Sequence, residues 1–117
     1  MPNQSTALDR VFHALSDPTR RAIVRRLSRG PASVSELAKP LSMAMPSLLQ
    51  HLHVLEQCRL IRTRKLGRVR TCQMQPAALG AAQAWIADQR AAWETRLGRM
   101  DAYVMSLHNR EKKHGKR

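Results

Sequence analysis

The sequence predicts a mainly α-helical fold with one small β-hairpin, and three observations predict it. Amphipathic or capped segments typical of helices fill the first half of the chain. Two alternating segments around a glycine-containing turn follow, and a long segment with regularly spaced apolar residues comes last. The length of 117 residues suits one domain with a single hydrophobic core.

The first two helices are predicted from apolar spacing and from a capping signal. The first helix is expected over residues 6–15, where apolar residues recur on one helical face at Leu8, Val11, Phe12 and Leu15. Asp17 can then cap a second helix, because Pro18 in its first turn loses no backbone hydrogen bond. This second helix is expected to end near Gly30 and Pro31.

The third and fourth helices form a helix-turn-helix pattern. Ser33 and Glu36 make a capping box, in which each side chain satisfies the free backbone N–H of the other residue. Pro40 ends this short helix, and a further helix is expected over residues 44–57. Two short helices joined by a tight turn are typical of the helix-turn-helix motif.

A β-hairpin over residues 61–74 and a long final helix complete the predicted order. The hairpin directly follows the helix-turn-helix, as in a winged helix-turn-helix fold. Pro76 opens the final helix, which is expected to reach about Leu107. We therefore divide the chain into a winged helix-turn-helix domain at 1–107, with dimerisation helices at both ends, and a basic tail at 108–117. The tail is expected to be either a flexible arm or an extension of the last helix.

The charge distribution favours a polyanionic partner. The net charge is +13, and no acidic residue lies between Glu56 and Asp88. A stable fold does not need such an excess, whereas binding to nucleic acid would explain it. The chain has one Phe and one Tyr, so it offers few aromatic platforms for stacking single-stranded bases. The expected partner is therefore double-stranded DNA.

One face of the 44–57 helix is predicted to enter the major groove. Leu48, Leu52 and Leu55 fall together at 100° per residue and should face the core. The opposite face and its flanks supply the predicted base contacts Pro46, Ser47, Leu49, Gln50 and His53. Gln50 can pair with an adenine edge, and Leu49 can contact a thymine methyl group. The alternative is a surface helix whose polar side merely faces water.

His51 lies at the boundary between the two faces of this helix. A histidine in that position is expected to be half-buried and to pack, rather than to contact a base.

The hairpin is predicted to act as a basic wing. Its cations, which we expect on phosphates or at the minor groove, are Arg62, Arg64, Lys65, Arg68 and Arg70. Contacts of this kind supply affinity but little sequence information. The alternative is a solvated hairpin whose charges discourage pairing with other strands.

The final helix carries a seam that predicts packing on another helix. Apolar residues recur every seven positions, at Leu79, Ile86, Trp93, Met100 and Leu107, with Leu97 and Val104 beside them. Trp85 and Trp93 together exceed what so small a core should absorb from one helix. We expect a homodimer, and the alternative is that the helix folds back on its own domain.

Several motifs resemble the ArsR family of bacterial repressors. They are residues 14–21 (ALSDPTRR), residues 35–38 (SELA) and residues 50–56 (QHLHVLE). The stretch from Ala84 to Glu94 resembles a subgroup often encoded beside START-like (SRPBCC) proteins. The resemblance covers residues 8–107 and implies a homodimer built by the first and last helices, bound to an operator of twofold character. Repression, relieved by an effector or a metal, is the family's usual outcome.

The resemblance also indicates which residues form the dimer contacts, and this sequence departs from the family at three positions. The contacts are Leu8, Val11, Phe12, Trp85, Ile86, Trp93, Leu97, Met100 and Val104. Ala44 and Leu49 stand where many family members have serine, which removes a helix cap and a polar groove contact. Arg59 stands where a glycine is expected, because the left-handed conformation common at that position is easier for glycine than for arginine.

Other functional classes find less support in the sequence. The sequence has no glycine-rich phosphate loop and no pair of carboxylates placed to share a cleft, so we expect no enzymatic activity and no cofactor. The two cysteines, Cys58 and Cys72, suit a reducing compartment but not a metal site, and Cys72 is expected in the core. The remaining alternatives are a nonspecific architectural DNA-binding protein, a metal- or redox-sensing repressor, and an RNA-binding or protein-interaction module. No segment is apolar enough to span a bilayer or to serve as a secretory signal, so we expect a cytoplasmic protein.

Overall fold

The structure is a computed structural model that describes the backbone of residues 4–115 and the side chains of residues 6–111. Its elements in chain order are α1 (Gln4–Leu15), α2 (Pro18–Leu27), β1 (Ala32–Ser33), α3 (Val34–Ala38), α4 (Met45–Gln57), β2 (Ile61–Leu66), β3 (Val69–Met74) and α5 (Pro76–Gly115). The chain forms two compact units, the first ending at Ala82 and the second beginning at Gln83. The predicted order of helices and hairpin is confirmed, and β1 is an addition.

The helix starts follow the predicted caps. The Asp17 carboxylate accepts a hydrogen bond from the backbone N–H of Arg20 at 3.0 Å, and Pro18 occupies the first turn of α2. The Ser33 hydroxyl accepts from the backbone N–H of Glu36 at 3.1 Å. The returning half of the capping box differs from the expectation, because the Glu36 carboxylate accepts from the Ser33 hydroxyl at 3.2 Å instead of from its backbone.

Helix α4 starts without a side-chain cap and ends in a Schellman motif. Ala44 occupies the N-cap position and makes no side-chain hydrogen bond to the helix. At the other end Arg59 has a φ of 63°, the left-handed conformation expected there. The N–H of Leu60 donates to the Leu55 carbonyl at 3.0 Å, and the N–H of Arg59 donates to the Glu56 carbonyl at 3.0 Å. Leu55 and Leu60 are both fully buried, so an apolar contact closes the motif.

The sheet has three antiparallel strands in the order β1-β3-β2. Strands β2 and β3 form the predicted hairpin, with Ile61 opposite Met74 and Leu66 opposite Val69. Gly67 has a φ of 62° at the first turn position, as a two-residue type II′ connection requires. Strand β1 was not predicted, because its two residues gain strand geometry only by pairing with Thr71 and Cys72.

The core lies between the helices and one face of the sheet. The predicted inward leucines of α4, Leu48, Leu52 and Leu55, are all buried. They join a cluster that includes Ile23, Leu27, Leu37, Leu60, Ile61 and Cys72. Val11 is only 3% exposed within this same core. Its place in the expected dimer interface is therefore corrected: Val11 fills its own domain and has almost no surface left to give a partner.

Helix α5 begins at Pro76 as predicted and continues past Leu107 to Gly115. This favours the helical extension over the flexible arm for residues 108–115, while residues 116–117 of the basic tail lie outside the described residues. Within the second unit, every side chain described from Gln83 to Glu111 is exposed in the single chain. Local pairs support the helix, with Arg90 Nε 3.1 Å from the Glu94 carboxylate and the Arg96 guanidinium 5.5 Å from the Trp93 ring centroid.

Among the described residues, no helix has both the length and the hydrophobicity that crossing a lipid bilayer demands.

We predict that Arg59→Gly raises the free energy of unfolding by about 1 kcal/mol, because glycine adopts the left-handed conformation without the steric cost of a Cβ. The matched control is Arg25→Gly in α2, which should lower stability by about 1 kcal/mol through the helix propensity of glycine. Urea denaturation at one fixed protein concentration measures both variants. A loss of stability in Arg59→Gly would contradict the prediction.

Candidate nucleic-acid interface

The candidate interface is built on α4 and on the hairpin that follows it. All five residues predicted for groove contact are exposed: Pro46, Ser47, Leu49, Gln50 and His53. Leu48, Leu52 and Leu55 anchor the opposite face in the core. The helix therefore presents to solvent the polar side that the residue spacing predicted, with Leu49 at 38% exposure as its apolar member.

A polar junction around Arg20 fixes the position of α4 against the first two helices. The Arg20 guanidinium donates from Nε to the Ala14 carbonyl at 2.7 Å and from Nη2 to the His13 carbonyl at 3.1 Å. Its Nη1 lies 3.2 Å from Nδ1 of His51, which is on α4. Arginine can only donate, so this contact is a hydrogen bond when Nδ1 of His51 is the accepting nitrogen. One side chain thus joins the end of α1, the start of α2 and the middle of α4.

Asp17 completes this junction. Its carboxylate oxygen lies 3.9 Å from Nδ1 of His51 and caps α2 through the backbone N–H of Arg20. That backbone hydrogen bond, together with the nearby His51 and Arg20 charges, holds the pKa of Asp17 below its ordinary value against an opposing effect of burial. His51 is partly buried in the junction, so its predicted packing role is confirmed.

Helix α4 is also tied to the wing. The Thr63 hydroxyl on β2 donates to the Glu56 carboxylate on α4 at 2.8 Å. Leu60 and Ile61, between the helix and the strand, are both buried. The hairpin therefore leaves the helix from a fixed point. Neither this bond nor the Arg20 junction was predicted from the sequence, because both join residues that are brought together only by folding.

The wing displays its five predicted cations on both of its faces. Side chains alternate along each strand, and the buried Ile61 and Cys72 mark the face toward the core. Lys65 and Arg70 lie on that same face nearer the turn, while Arg62 and Arg64 lie on the other face. All of these cations and Arg68 are exposed.

The wing charges are not neutralised within the protein. Lys65 and Arg70 are directly opposite each other across β2 and β3, and like charges in that arrangement destabilise a sheet. None of the five wing cations forms an ion pair with an acidic residue in the part of the chain that the structure describes. The hairpin thus carries an electrostatic cost that an anionic partner would relieve.

Lys39 is a further candidate that the sequence reasoning missed. It occupies the C-cap of α3, in the connection that leads to α4, and its side chain is exposed. The first helix of a helix-turn-helix crosses the DNA backbone, so a cation in this connection suits a phosphate. The sequence feature that could have identified Lys39 is its position between the capping box and Pro40.

The two cysteines are free and buried. Burial raises the pKa of both the Cys58 and the Cys72 thiols, which disfavours the reactive thiolate. The Cys58 thiol donates to the Leu55 carbonyl at 3.3 Å, and Cys72 is a core residue as predicted. Within the described residues, no three His, Cys, Asp or Glu side chains are grouped so that they could hold a metal ion.

Known proteins with this arrangement are transcriptional regulators. A family model described as a helix-turn-helix domain matches residues 15–64. The HTH-type transcriptional regulator Rv2034 of Mycobacterium tuberculosis is 48% identical over 73 residues, which cover 62% of this chain and 68% of that protein. The transcriptional repressor SdpR of Bacillus subtilis is 34% identical over 61 residues, covering 52% of this chain and 68% of that protein.

A solved structure extends the similarity to most of the fold. The crystal structure of the ArsR family transcriptional regulator RHA00566 matches with a TM-score of 0.75 and 53% identity. The match covers 80% of this chain and 97% of that one. These relatives are transcriptional regulators and not enzymes.

We predict that Arg20→Met lowers the free energy of unfolding by about 2 kcal/mol, because it keeps the length of the side chain but removes its charge-assisted hydrogen bonds. Arg21→Met is the matched control, since Arg21 donates a single exposed bond to the Leu15 carbonyl at 2.9 Å. The control should change stability by less than about 0.5 kcal/mol. Equal effects of the two variants in thermal denaturation would show that the Arg20 junction is not special.

Proposed function

Because the chain belongs to the ArsR family of helix-turn-helix transcriptional regulators, we propose that it is a homodimeric repressor that binds one specific operator in double-stranded DNA. The observation that carries the proposal is the exposed polar face of α4 beside a wing whose cations have no acidic partner among the described residues. A relative described as a transcriptional repressor supports repression as the outcome. A repressor has to reach the DNA of the cell, so we propose that the protein is cytoplasmic.

In the proposed complex the N-terminal half of α4 enters the major groove. Gln50 offers a donor and an acceptor to an adenine edge, and Leu49 contacts a thymine methyl group. Ser47 and His53 flank them with hydrogen-bonding groups, and Pro46 lies at the helix start. The Arg20 junction and the Glu56–Thr63 bond hold helix and wing in one orientation. This rigidity turns contacts with bases into discrimination between sequences.

The wing supplies affinity in this proposal. Arg62, Arg64, Lys65, Arg68 and Arg70 contact phosphates or the minor groove beside the site occupied by α4. Each cation that neutralises a phosphate releases a condensed counterion, so binding weakens as salt rises. The rival proposal, a nonspecific architectural protein, draws on the net charge of +13 and predicts equal affinity for any duplex.

Sequence preference is the property that tests the operator proposal. We predict that Gln50→Ala reduces the preference for a duplex selected from random sequence by the wild-type protein, relative to a scrambled duplex. The loss should be about 1–3 kcal/mol, because one bidentate base contact is removed. The dependence of affinity on salt should stay unchanged, since no phosphate contact is altered. Fluorescence anisotropy across a salt series measures both quantities.

The control for this experiment is Lys65→Gln. It should lower the salt slope by about one and weaken binding to both duplexes equally. If the wild-type protein binds selected and scrambled duplexes with equal affinity, the operator proposal is wrong and the architectural one gains support.

Dimerisation is proposed from apolar surface that the single chain leaves uncovered. In the second unit, Trp93 is 60% exposed, Met100 58% and Val104 58%, and these residues lie on one face of α5 with Ile86 and Leu97. A helix with such a seam is not stable alone in water, because helix stability in proteins comes mainly from packing an apolar face. Trp85 is also exposed nearby, at 46%.

The first unit carries a second uncovered surface. An open cleft of about 420 Å³ lies between α1 and the start of α5, and its lining includes Leu8, Ala77, Ala78 and Ala81 together with Arg59 and Gln75. Phe12 on α1 is 36% exposed. We propose that residues 1–107 dimerise through Leu8, Phe12 and the α5 seam, and that the basic tail at 108–117 extends α5 toward DNA phosphates.

The seam proposal predicts that Leu97→Glu shifts the protein from dimer to monomer at micromolar concentration, because it buries an unpaired carboxylate in the interface. Thr95→Glu adds the same charge on the opposite face of α5 and should leave the dimer intact. Light scattering coupled to size-exclusion chromatography gives the mass of each species. A wild-type protein that is strictly monomeric under these conditions would contradict the dimer.

A further inference from the structure

The tip of the wing carries an apolar pair that the proposed cationic contacts do not use. Leu66 and Val69 are the last residues to pair before the turn, and they face each other across β2 and β3. Leu66 is 73% exposed and Val69 is 53% exposed. Of the large apolar side chains described, Leu66 is the most exposed. This pair can stabilise the hairpin across its two strands but lies outside the core, so its apolar surface stays available to a partner.

The surroundings of the pair restrict what that partner can be. Leu66 and Val69 share the face of the hairpin that holds Arg62 and Arg64, while Lys65 and Arg70 line the other face at the same level. Arg68 lies in the turn between them. An apolar protein surface would have to be strongly acidic on both sides to meet these charges. A DNA duplex offers two rows of phosphates with the apolar faces of the deoxyriboses between them.

The turn itself is narrow enough to approach a groove. Gly67 has no side chain, and its φ of 62° closes the hairpin in two residues. Proteins that bind the minor groove commonly place apolar side chains such as Leu against its walls or between base steps. The sugars form the walls of the minor groove. An apolar pair flanked by cations therefore matches the minor groove better than the polar base edges of the major groove.

We infer that Leu66 and Val69 form an apolar minor-groove contact, in which they pack against deoxyribose sugars while the cations on both faces of the wing hold the two phosphate strands. This inference rests on the proposed binding of duplex DNA and extends it. The wing would then read the width of the minor groove as well as supply charge. Flanking sequence would matter through DNA shape, at base pairs that α4 does not touch.

The test compares Leu66→Ser/Val69→Thr with the wild-type protein on the duplex selected by the wild-type protein. The double variant should bind about tenfold more weakly, because apolar surface is no longer buried against the sugars. Its salt slope should match that of the wild-type protein, since no cation is lost. In hydroxyl-radical footprinting, which reports cleavage at minor-groove sugars, one protected segment beside the α4 site should disappear.

The conservative variant Leu66→Met/Val69→Ile keeps the surface apolar and should restore both affinity and protection. Both positions are exposed in the single chain, so neither variant should lower the melting temperature appreciably. Unchanged affinity of the Ser/Thr variant would overturn the inference, and so would weaker binding with every sugar still protected. A wild-type protein without sequence preference would contradict the operator proposal alone. The ratio of the affinities of variant and wild type for one duplex would still report the apolar contact.

Discussion

The Arg20 guanidinium is the point at which the arrangement of this domain is decided. The guanidinium donates to two carbonyls at the end of α1, and its remaining nitrogen reaches His51 on α4. The backbone N–H of the same residue donates to Asp17, which caps α2. A planar guanidinium with fixed donor directions can meet the two carbonyls and His51 at once, whereas a lysine could not. The orientation of α4 relative to the first two helices is therefore set by directional bonds in addition to the leucines packed beneath it.

The hairpin that follows α4 inherits this orientation. The Schellman motif at Arg59 turns the chain sharply, the buried Leu60 and Ile61 fix where the hairpin starts, and the bond from Thr63 to Glu56 limits how it can swing. The backbone strain of a left-handed arginine is tolerated because the surrounding packing leaves no alternative. The wing is in this way held by α4 and is not an independent arm.

Over the described residues, the exposed surface carries unpaired charges and apolar side chains that do not contribute to the core. Cations are opposed across the wing without acidic partners in the described chain, and apolar residues remain uncovered on α5 and at the hairpin tip. Each of these features costs stability or solubility in an isolated chain. Their cost is offset only if other molecules cover them, with duplex DNA suited to the wing and a second copy suited to the seam of α5.

The helices, the hairpin and their buried faces could be predicted from the sequence, because apolar period, capping residues and turn residues act over a few neighbouring positions. It placed the helix at 44–57, the hairpin at 61–74, the left-handed Arg59 and the inward leucines of α4 close to where they lie. Tertiary structure alone decided the third strand, the burial of Val11 in its own domain, the Arg20–His51 contact and the Glu56–Thr63 bond. Those features join different secondary-structure elements, and no local pattern records a contact that exists only after folding.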